Sequence, residues 1–420
     1  MLLRENKLLR KYLSLGWISC IGDALYYIAL MTYAATLDNP SLGILIITIS
    51  TTFPTIINII LGALADGTKD KVLRIIQSGI FRGIVFIIIA FIISQTNSLT
   101  GIIIIGILNA LSDIVGSFSA SVKAPFLRLL AKDDELERVI GLNSGIRQIL
   151  DVAAGFIGVA LLGFLGIYYL AFFNAGIFFL VSFGFKAIRK NLTEVQSKID
   201  PPQMKGAKAM AEHIKKSLIS LVRIKPLRNF LLIAAAMNSI GATMMAVLLM
   251  SMTANVEAQI INFEFSVSVA KGIIFAFGLA AALLGPKYCK NIGTTFILVV
   301  EMLAVIGFMI GIGMNMPWLA IGLVSIGVFF SSMFSIRLTS FIQQAVPLET
   351  LGTVGEGISL FLGVLPIPLT ILLTSIAAVS LHSYAIIGAI LAFVFLIVAV
   401  LMKLDKTDLK STIDQYGEQS

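Results

Sequence analysis

The sequence has few of the side chains that catalysis and metal binding require. Its 420 residues include 2 histidines and 2 cysteines, and charged residues make up 13% of the chain. The histidines and cysteines form no HExxH or CxxC motif, so neither a zinc site nor a redox pair is indicated. The sequence also lacks the GxxxxGKS/T loop that binds phosphate in many ATPases. We therefore expect a protein that is not an enzyme and that carries no metal and no cofactor.

Apolar residues dominate instead. They make up 58% of the chain, and the mean hydropathy is +0.97. A run of about 20 apolar residues is long enough to cross a bilayer as a helix. Breaks at charges, prolines and glycines divide the chain into runs at 12–36, 41–64, 75–94, 100–122, 139–163, 168–185, 229–252, 267–285, 293–313, 317–336, 351–377 and 383–402. We therefore expect an all-α membrane protein with twelve transmembrane helices.

The positive charges lie on one side of these predicted helices. If the N-terminus is cytoplasmic, the predicted outer loops contain no lysine or arginine, and only Arg82, Arg147 and Lys271 fall inside helices. All other lysines and arginines then lie in cytoplasmic segments, as the positive-inside rule requires. We therefore expect a multi-pass membrane protein with both termini in the cytoplasm. The net charge of +8 reports this topology, and no nucleic-acid partner is expected.

One long polar connection divides the predicted helices six and six. This pattern predicts an N-terminal six-helix bundle at 1–185, a cytoplasmic linker at 186–228, a C-terminal six-helix bundle at 229–402 and a cytoplasmic tail at 403–420. Two bundles around a midplane site are common among secondary transporters. Within the linker, residues 207–221 predict a basic amphipathic helix, which could lie on the anionic inner leaflet or in solvent.

Three aspartates inside predicted helices are candidates for proton coupling. They are Asp23, Asp113 and Asp151, in predicted helices one, four and five. An ionisable group in hydrocarbon is costly and normally faces a cavity, a partner or water. Because burial favours the neutral form of a carboxylate, such a group can take up and release a proton. Asp23 and Asp113 also have structural alternatives. Asp23 could accept a hydrogen bond from Tyr27, and Asp113 could form hydrogen bonds with neighbouring helices.

Arg147 is the expected charge partner of Asp151. The two residues are four apart in a predicted helix, so their side chains share one face. A purely structural pair is the favoured interpretation for Asp151. In the alternative, Arg147 is shared between Asp151 and Asp113, and protonation of one carboxylate loosens helix four from helix five.

A polar stripe indicates where a substrate cavity could lie. Asn109, Asp113 and Ser117 follow one another at intervals of four, so they line one face of an otherwise apolar helix. The candidate residues for the cavity are Tyr27, Asn109, Ser117, Gln148, Asn238, Lys271 and Phe334. Lys271 could instead extend to the outer interface, and the aromatic and methionine side chains could simply pack helices together.

Several motifs resemble a known family. The loop after predicted helix two reads Gly62-Ala-Leu-Ala-Asp66-Gly-Thr-Lys69-Asp70-Lys71, which is similar to the Gly-x-Leu-Ala-Asp signature of the major facilitator superfamily. Three further segments resemble the drug:proton antiporter branch, which contains the macrolide efflux proteins and the enterobactin exporter. They are Gly22-Asp23, Asn174-Ala175 with Phe178, and Gln344 to Gly352. The resemblance implies the major facilitator fold, an amphipathic small-molecule substrate, protons as coupling ions, a lipid bilayer around the chain and a monomer.

The resemblance also implies a gate at the cytoplasmic side. The gating loop would consist of Gly62, Asp66, Lys69 and Lys71, with Asp66 holding the first bundle against the start of helix eleven. The alternative is that Asp66 simply ends helix two. In the same family, helix nine is peripheral, so a structural role is favoured for its acidic residue, Glu301.

These features predict a secondary active transporter that exports amphipathic small molecules, of the drug or macrolide type, in exchange for protons by alternating access. One alternative is an exporter or flippase of an endogenous amphiphile such as a lysolipid, a siderophore or a peptide. Another is a membrane sensor that no longer transports, although such a protein would be expected to lose its midplane charges. Pro366 and Pro368 predict a bend or a break in helix eleven, which would suit alternating access or be a static kink.

Overall fold

The computed structural model describes residues 6–35, 40–95, 99–204, 206–223, 225–289 and 291–401, and these are almost entirely helical. A helix satisfies its own backbone hydrogen bonds, as a segment in hydrocarbon must. The helices are α1 (Lys7–Ala35), α2 (Pro40–Asp66), α3 (Lys71–Gln95), α4 (Leu99–Leu130), α5 (Leu136–Ala187), α6 (Arg189–Gln196), α7 (Gly206–Arg223), α8 (Lys225–Ala254), α9 (Phe263–Tyr288), α10 (Thr294–Gly313), α11 (Pro317–Ala345), α12 (Leu351–Val364), α13 (Ile367–Val379) and α14 (Leu381–Leu401). The predicted all-α fold is confirmed.

Nine helical segments in the described part of the chain are long and apolar enough to cross a membrane. A tenth candidate is α2, which is bent by 51° between Ile49–Thr55 and Ile57–Asp66. Pro54 lies beside this bend. Proline is a frequent cause of kinks because it cannot donate the helical hydrogen bond of its turn. The chain is therefore a multi-pass membrane protein.

Two predicted interruptions are present. Inside α5 the regular helix breaks at Gly166, where φ is 78° and ψ is 161°. Glycine adopts this backbone conformation easily because it has no Cβ. The break falls between predicted helices five and six. In predicted helix eleven, α12 ends at Val364 and α13 begins at Ile367, with Pro366 between them. The predicted interruption at the prolines is confirmed.

The predicted amphipathic helix of the linker is α7. Its side chains at Met210, His213 and Ser217 are partly or fully buried, whereas Lys208 and Lys215 are exposed. The spacing of three and four residues places the buried side chains on one face. On this face Nε2 of His213 lies 3.3 Å from Oδ2 of Asp66, and the lysines face away from it.

The chain contacts divide the protein into two compact units. Unit 1 comprises Met1–Leu136, Ile146–Ile219 and Val346–Gly357, and unit 2 comprises Glu137–Gly145, Ser220–Ala345 and Ile358–Ser420. In the core of unit 1, Phe86 lies between Tyr26 and Phe178, with ring centroids 4.5 and 5.4 Å away. In unit 2, the Tyr384 hydroxyl lies 2.7 Å from Oγ1 of Thr243 within an apolar cluster.

A buried arginine stabilises a loop of unit 2. Arg337 in α11 is 6% exposed. Its Nη1 donates to the Ile292 carbonyl at 2.7 Å and its Nη2 to the Cys289 carbonyl at 2.9 Å, while Nε donates to Oε1 of Glu137 at 3.4 Å. One side chain therefore satisfies several acceptors in the connection between α9 and α10.

We expect Arg337→Met to lower the free energy of unfolding by about 2 kcal/mol or more, because buried acceptors without a donor each cost about 1–3 kcal/mol. The measurement is the thermal unfolding midpoint of the detergent-purified protein. The control is Arg189→Met, which removes an exposed ion pair with Asp70 of 3.0 Å that is worth about 1 kcal/mol at most. Equal midpoints for the two variants would contradict this assignment.

Candidate functional site

A cavity of about 440 Å³ lies inside unit 1. Five charged side chains line it, which is unusual for a membrane-embedded space because each charge is costly in hydrocarbon. They are Asp23, Arg82, Asp113, Lys123 and Arg147. Apolar surface comes from tyrosine, phenylalanine and proline side chains of α1, α2 and α3. The cavity therefore offers both charged and apolar groups to a solute.

Arg82 is held on several sides. Its Nη2 donates to Oδ1 of Asp23 at 2.5 Å, and its Nε donates to the hydroxyl of Ser112 at 3.0 Å. The guanidinium also lies over the Phe178 ring, 4.0 Å from the centroid, which is favourable for a cation. The Arg82 side chain is 8% exposed and that of Asp23 is 46% exposed. The arginine is thus fixed in the helix bundle, and its carboxylate partner faces the cavity.

Asp113 lies in the same cavity, but its closest described partner is an amide. Nδ2 of Asn109 donates to Oδ2 of Asp113 at 3.1 Å and lies 3.4 Å from the hydroxyl of Ser50. Asn109 is buried and Asp113 is half-buried. Arg82 acts on Asp113 electrostatically. Two carboxylates, Asp23 and Asp113, therefore share the field of one buried arginine.

Arg82 is the main site residue whose role was not predicted from the sequence. Arg147 does line the cavity, but within the described chain it forms no ion pair with Asp151. Asp151 instead accepts a hydrogen bond from the thiol of Cys20, with Oδ1 and Sγ 3.0 Å apart. The available signal was the position of Arg82 deep inside a predicted span, where an unpaired cation is costly.

The remaining predicted cavity residues fall into two groups. Tyr27, Asn109 and Ser117 line the cavity of unit 1 together with the aspartates. Gln148 is partly buried beside them but is not part of the described lining. The others belong to unit 2: Asn238 lines a smaller cavity there, Lys271 is exposed, and Phe334 is buried. In the part of the chain that the structure describes, no group of three or more His, Cys, Asp or Glu side chains could hold a metal ion.

The predicted gating loop converges on Asp66, the last residue of α2. Oδ1 of Asp66 accepts the backbone N–H of Gly352 at 2.8 Å, and Oδ2 accepts the N–H and the hydroxyl of Thr353 at 2.9 and 2.5 Å. The first N–H groups of a helix lack helical partners and favour a negative charge, so the start of α12 fits a carboxylate. Nε2 of His213 in α7 lies 3.3 Å from the same Oδ2.

The other residues of this loop act in different ways. Nζ of Lys71 donates to the carbonyls of Ala65 and Asp66 at 2.5 and 3.2 Å, which neutralises the C-terminal end of α2. The side chain of Lys69 is exposed, and its backbone carbonyl accepts a hydrogen bond from Nε2 of Gln196 at 2.9 Å. The backbone of Gly62 lies directly against that of Gly352, as a Cβ on Gly62 would be 2.5 Å from the Gly352 carbonyl oxygen.

Comparison with known protein families gives one match. Residues 12–367 match the family model described as Major Facilitator Superfamily, which is most of the chain. The search of curated proteins returns no match for this sequence.

Several solved structures share the fold. A bacterial homologue of the iron transporter ferroportin, in an outward-facing state with soaked iron, has a TM-score of 0.65 at 14% identity and covers 96% of this chain and 99% of its own. The human organic anion transporter MFSD10 (TETRAN) has a TM-score of 0.68 at 12% identity and covers 94% of this chain and 99% of its own. FucP, a transporter in the outward conformation, has a TM-score of 0.59 at 16% identity and covers 94% of this chain and 98% of its own.

We expect Gly62→Ala to lower the thermal midpoint, because its methyl group would force α2 away from the backbone of Gly352 and lengthen the bonds to Asp66. Overpacking of this kind costs about 1–3 kcal/mol. Gly176→Ala is the matched control, since a Cβ there meets no atom within 4 Å and alanine favours a helix. Equal thermal midpoints for both variants and the parent would contradict close packing at Gly62.

Proposed function

Because the chain belongs to the major facilitator superfamily, we propose that it is a proton-coupled secondary transporter, which exports amphipathic small molecules of the drug or macrolide type by alternating access. The family and the similar solved structures, which are transporters, indicate transport rather than catalysis. The observation that carries the proposal is the charged cavity of unit 1, in which Asp23 and Asp113 share the field of Arg82. Its mixture of apolar rings and charges of both signs suits an amphipathic solute.

Asp113 is the preferred proton acceptor in this proposal. Arginine stays charged in proteins, so Arg82 neutralises one of the two carboxylates. Asp23 is bonded to it directly, while Asp113 is held by the Asn109 amide. None of the described ion pairs includes Asp113, so its ionised form is a charge in a partly desolvated place, and a proton on Asp113 removes that cost. Binding of a charged solute to either carboxylate would compete with that proton, which is the basis of exchange.

The contact between Asp66 and the start of α12 serves as a cytoplasmic gate in this proposal. Its bonds to Gly352 and Thr353 would form when the cavity is closed to the cytoplasm and break when it opens. Lys71 holds Asp66 in place through the carbonyls at the end of α2. The gate needs no energy source other than solute and ion gradients.

The proposal includes the finer architecture that the sequence predicts. It places six helices in each of two bundles, at residues 1–185 and 229–402, with the linker at 186–228 and both termini in the cytoplasm. The protein would be a monomer in a bacterial cytoplasmic membrane. The charge distribution over the predicted loops and the resemblance to the drug:proton antiporter branch support these statements.

A second candidate function is export or flipping of an endogenous amphiphile such as a lysolipid, a siderophore or a peptide. An apolar groove of about 370 Å³ between α2 and α4 favours it. Ile46, Phe53 and Ile107 line this groove, and its inner edge is Ser50, next to Asn109 of the charged cavity. An acyl chain could lie in the groove with its head group in the cavity. A sensor that does not transport is less favoured, because the charged cavity is retained.

We expect Asp113→Asn to decrease uptake driven by a pH gradient, measured with a fluorescent dye or a macrolide in inside-out vesicles, because an amide cannot take up the proton. Asp23→Asn should impair uptake also, by releasing Arg82 from its partner. A decrease of about tenfold or more is expected for Asp113→Asn, within the usual range of coupling energies. The control is Asp200→Asn, a neutralisation of an exposed residue in the linker.

Vesicles should contain equal amounts of each variant. Uptake by Asp113→Asn at the level of the parent would exclude this carboxylate from proton coupling. If the parent takes up no dye or macrolide under any gradient but moves a fluorescent lysolipid, the second candidate function replaces the first.

A further inference from the structure

Unit 2 contains a second, smaller cavity of about 90 Å³. Residues from α8, α10 and α11 line it, and most of them are apolar. Three lining side chains carry oxygen: Asn238 of α8, Glu301 of α10 and Ser331 of α11. Oxygen atoms from three different helices are thus brought to one small space inside an apolar unit.

Glu301 is the most buried of these groups. It lies about 10 Å along α10 from its first residue, at 1.5 Å per residue, and is 4% exposed. The hydroxyl of Ser331 is hydrogen-bonded to the Glu301 carboxylate, but Oε2 is buried without a hydrogen-bond partner. In the described lining of the cavity, no other side chain is charged. A carboxylate in such a place needs to be neutralised by a bound cation or by a proton, because an isolated buried ion is strongly unfavourable.

The surroundings define the kind of cation that would fit. Carboxylate, hydroxyl and amide oxygens are ligands of hard cations. A single carboxylate supplies one negative charge, which matches a monovalent ion. The cavity has room for an ion with one or two waters, since a water occupies about 30 Å³. Asn238 is exposed, and its Nδ2 donates to the Leu362 carbonyl at 3.4 Å. The amide oxygen of Asn238 is therefore the atom of this side chain that would bind an ion in the cavity.

We propose that Glu301, Asn238 and Ser331 form a binding site for a hard monovalent cation of the size of Na⁺. This second ion site lies in unit 2 and uses none of the residues of the charged cavity in unit 1. It does not depend on the proposed coupling through Asp113, because ion binding can be measured without transport.

The test is protection of Glu301 from a hydrophobic carbodiimide, which reacts with buried carboxyl groups. The purified full-length protein is treated in NaCl or in choline chloride of the same ionic strength, and the modified peptides are identified by mass spectrometry. Na⁺ at ten times its dissociation constant should slow modification of Glu301 roughly tenfold, by mass action. Modification of Asp113 in the same sample should not respond to Na⁺.

Variants show whether the oxygen ligands matter. Asn238→Leu and Ser331→Ala should still be modified at Glu301 but should lose the protection by Na⁺, whereas Asp113→Asn should keep it. Glu301→Gln should lose the modified peptide, which identifies the reacting residue. Modification that is equally fast in NaCl and choline chloride at every pH would overturn the proposal, and a rate that depends on pH alone would assign Glu301 to protons instead of sodium.

Discussion

A charged side chain inside an apolar helix bundle must be compensated by a partner, by water or by an ion, and this constraint organises unit 1. Arg82 meets it by bonding Asp23 and Ser112 and by lying over the ring of Phe178. These contacts join α1, α3, α4 and α5 at one point. Removal of Arg82 would leave Asp23 without its ion-pair partner and would take away a cation that acts on Asp113, so the arrangement of charge in the cavity depends on this side chain.

The charged cavity and the proposed gate are joined by one helix. Asp113 lies on α4, and Ser121 follows about 12 Å further along the same helix. The hydroxyl of Ser121 donates to Oε1 of Glu356 at 2.8 Å, and Glu356 lies on α12, three residues after Thr353, which Asp66 holds. In the proposed mechanism, a shift of α4 caused by a change of charge at Asp113 would reach the start of α12, which Asp66 holds. The path consists of a rigid helix and two hydrogen-bonded contacts, all within unit 1.

The features that the sequence predicts correctly are those with a local signal. The apolar runs predict an all-α membrane fold, and Pro366 predicts the break between α12 and α13. The four-residue spacing of Asn109 and Asp113 predicts that they share one face of a helix, and in the structure they are hydrogen-bonded. Partners from other helices leave no such signal. The sequence pairs Arg147 with Asp151 because they are four residues apart, whereas the described contacts of Asp151 include Cys20, which is 131 residues away.

The buried carboxylates of the two units meet the same constraint differently. In unit 1 the compensating charge is part of the protein, since Arg82 is permanently charged and Lys123 and Arg147 line the same cavity. Around Glu301 in unit 2, the described lining provides hydroxyl and amide groups but no cation. In the proposal for this site, the compensating charge comes from solution. In the two proposals, a carboxylate near a fixed arginine exchanges a proton, whereas a carboxylate whose described lining contains no cation takes an ion from solution.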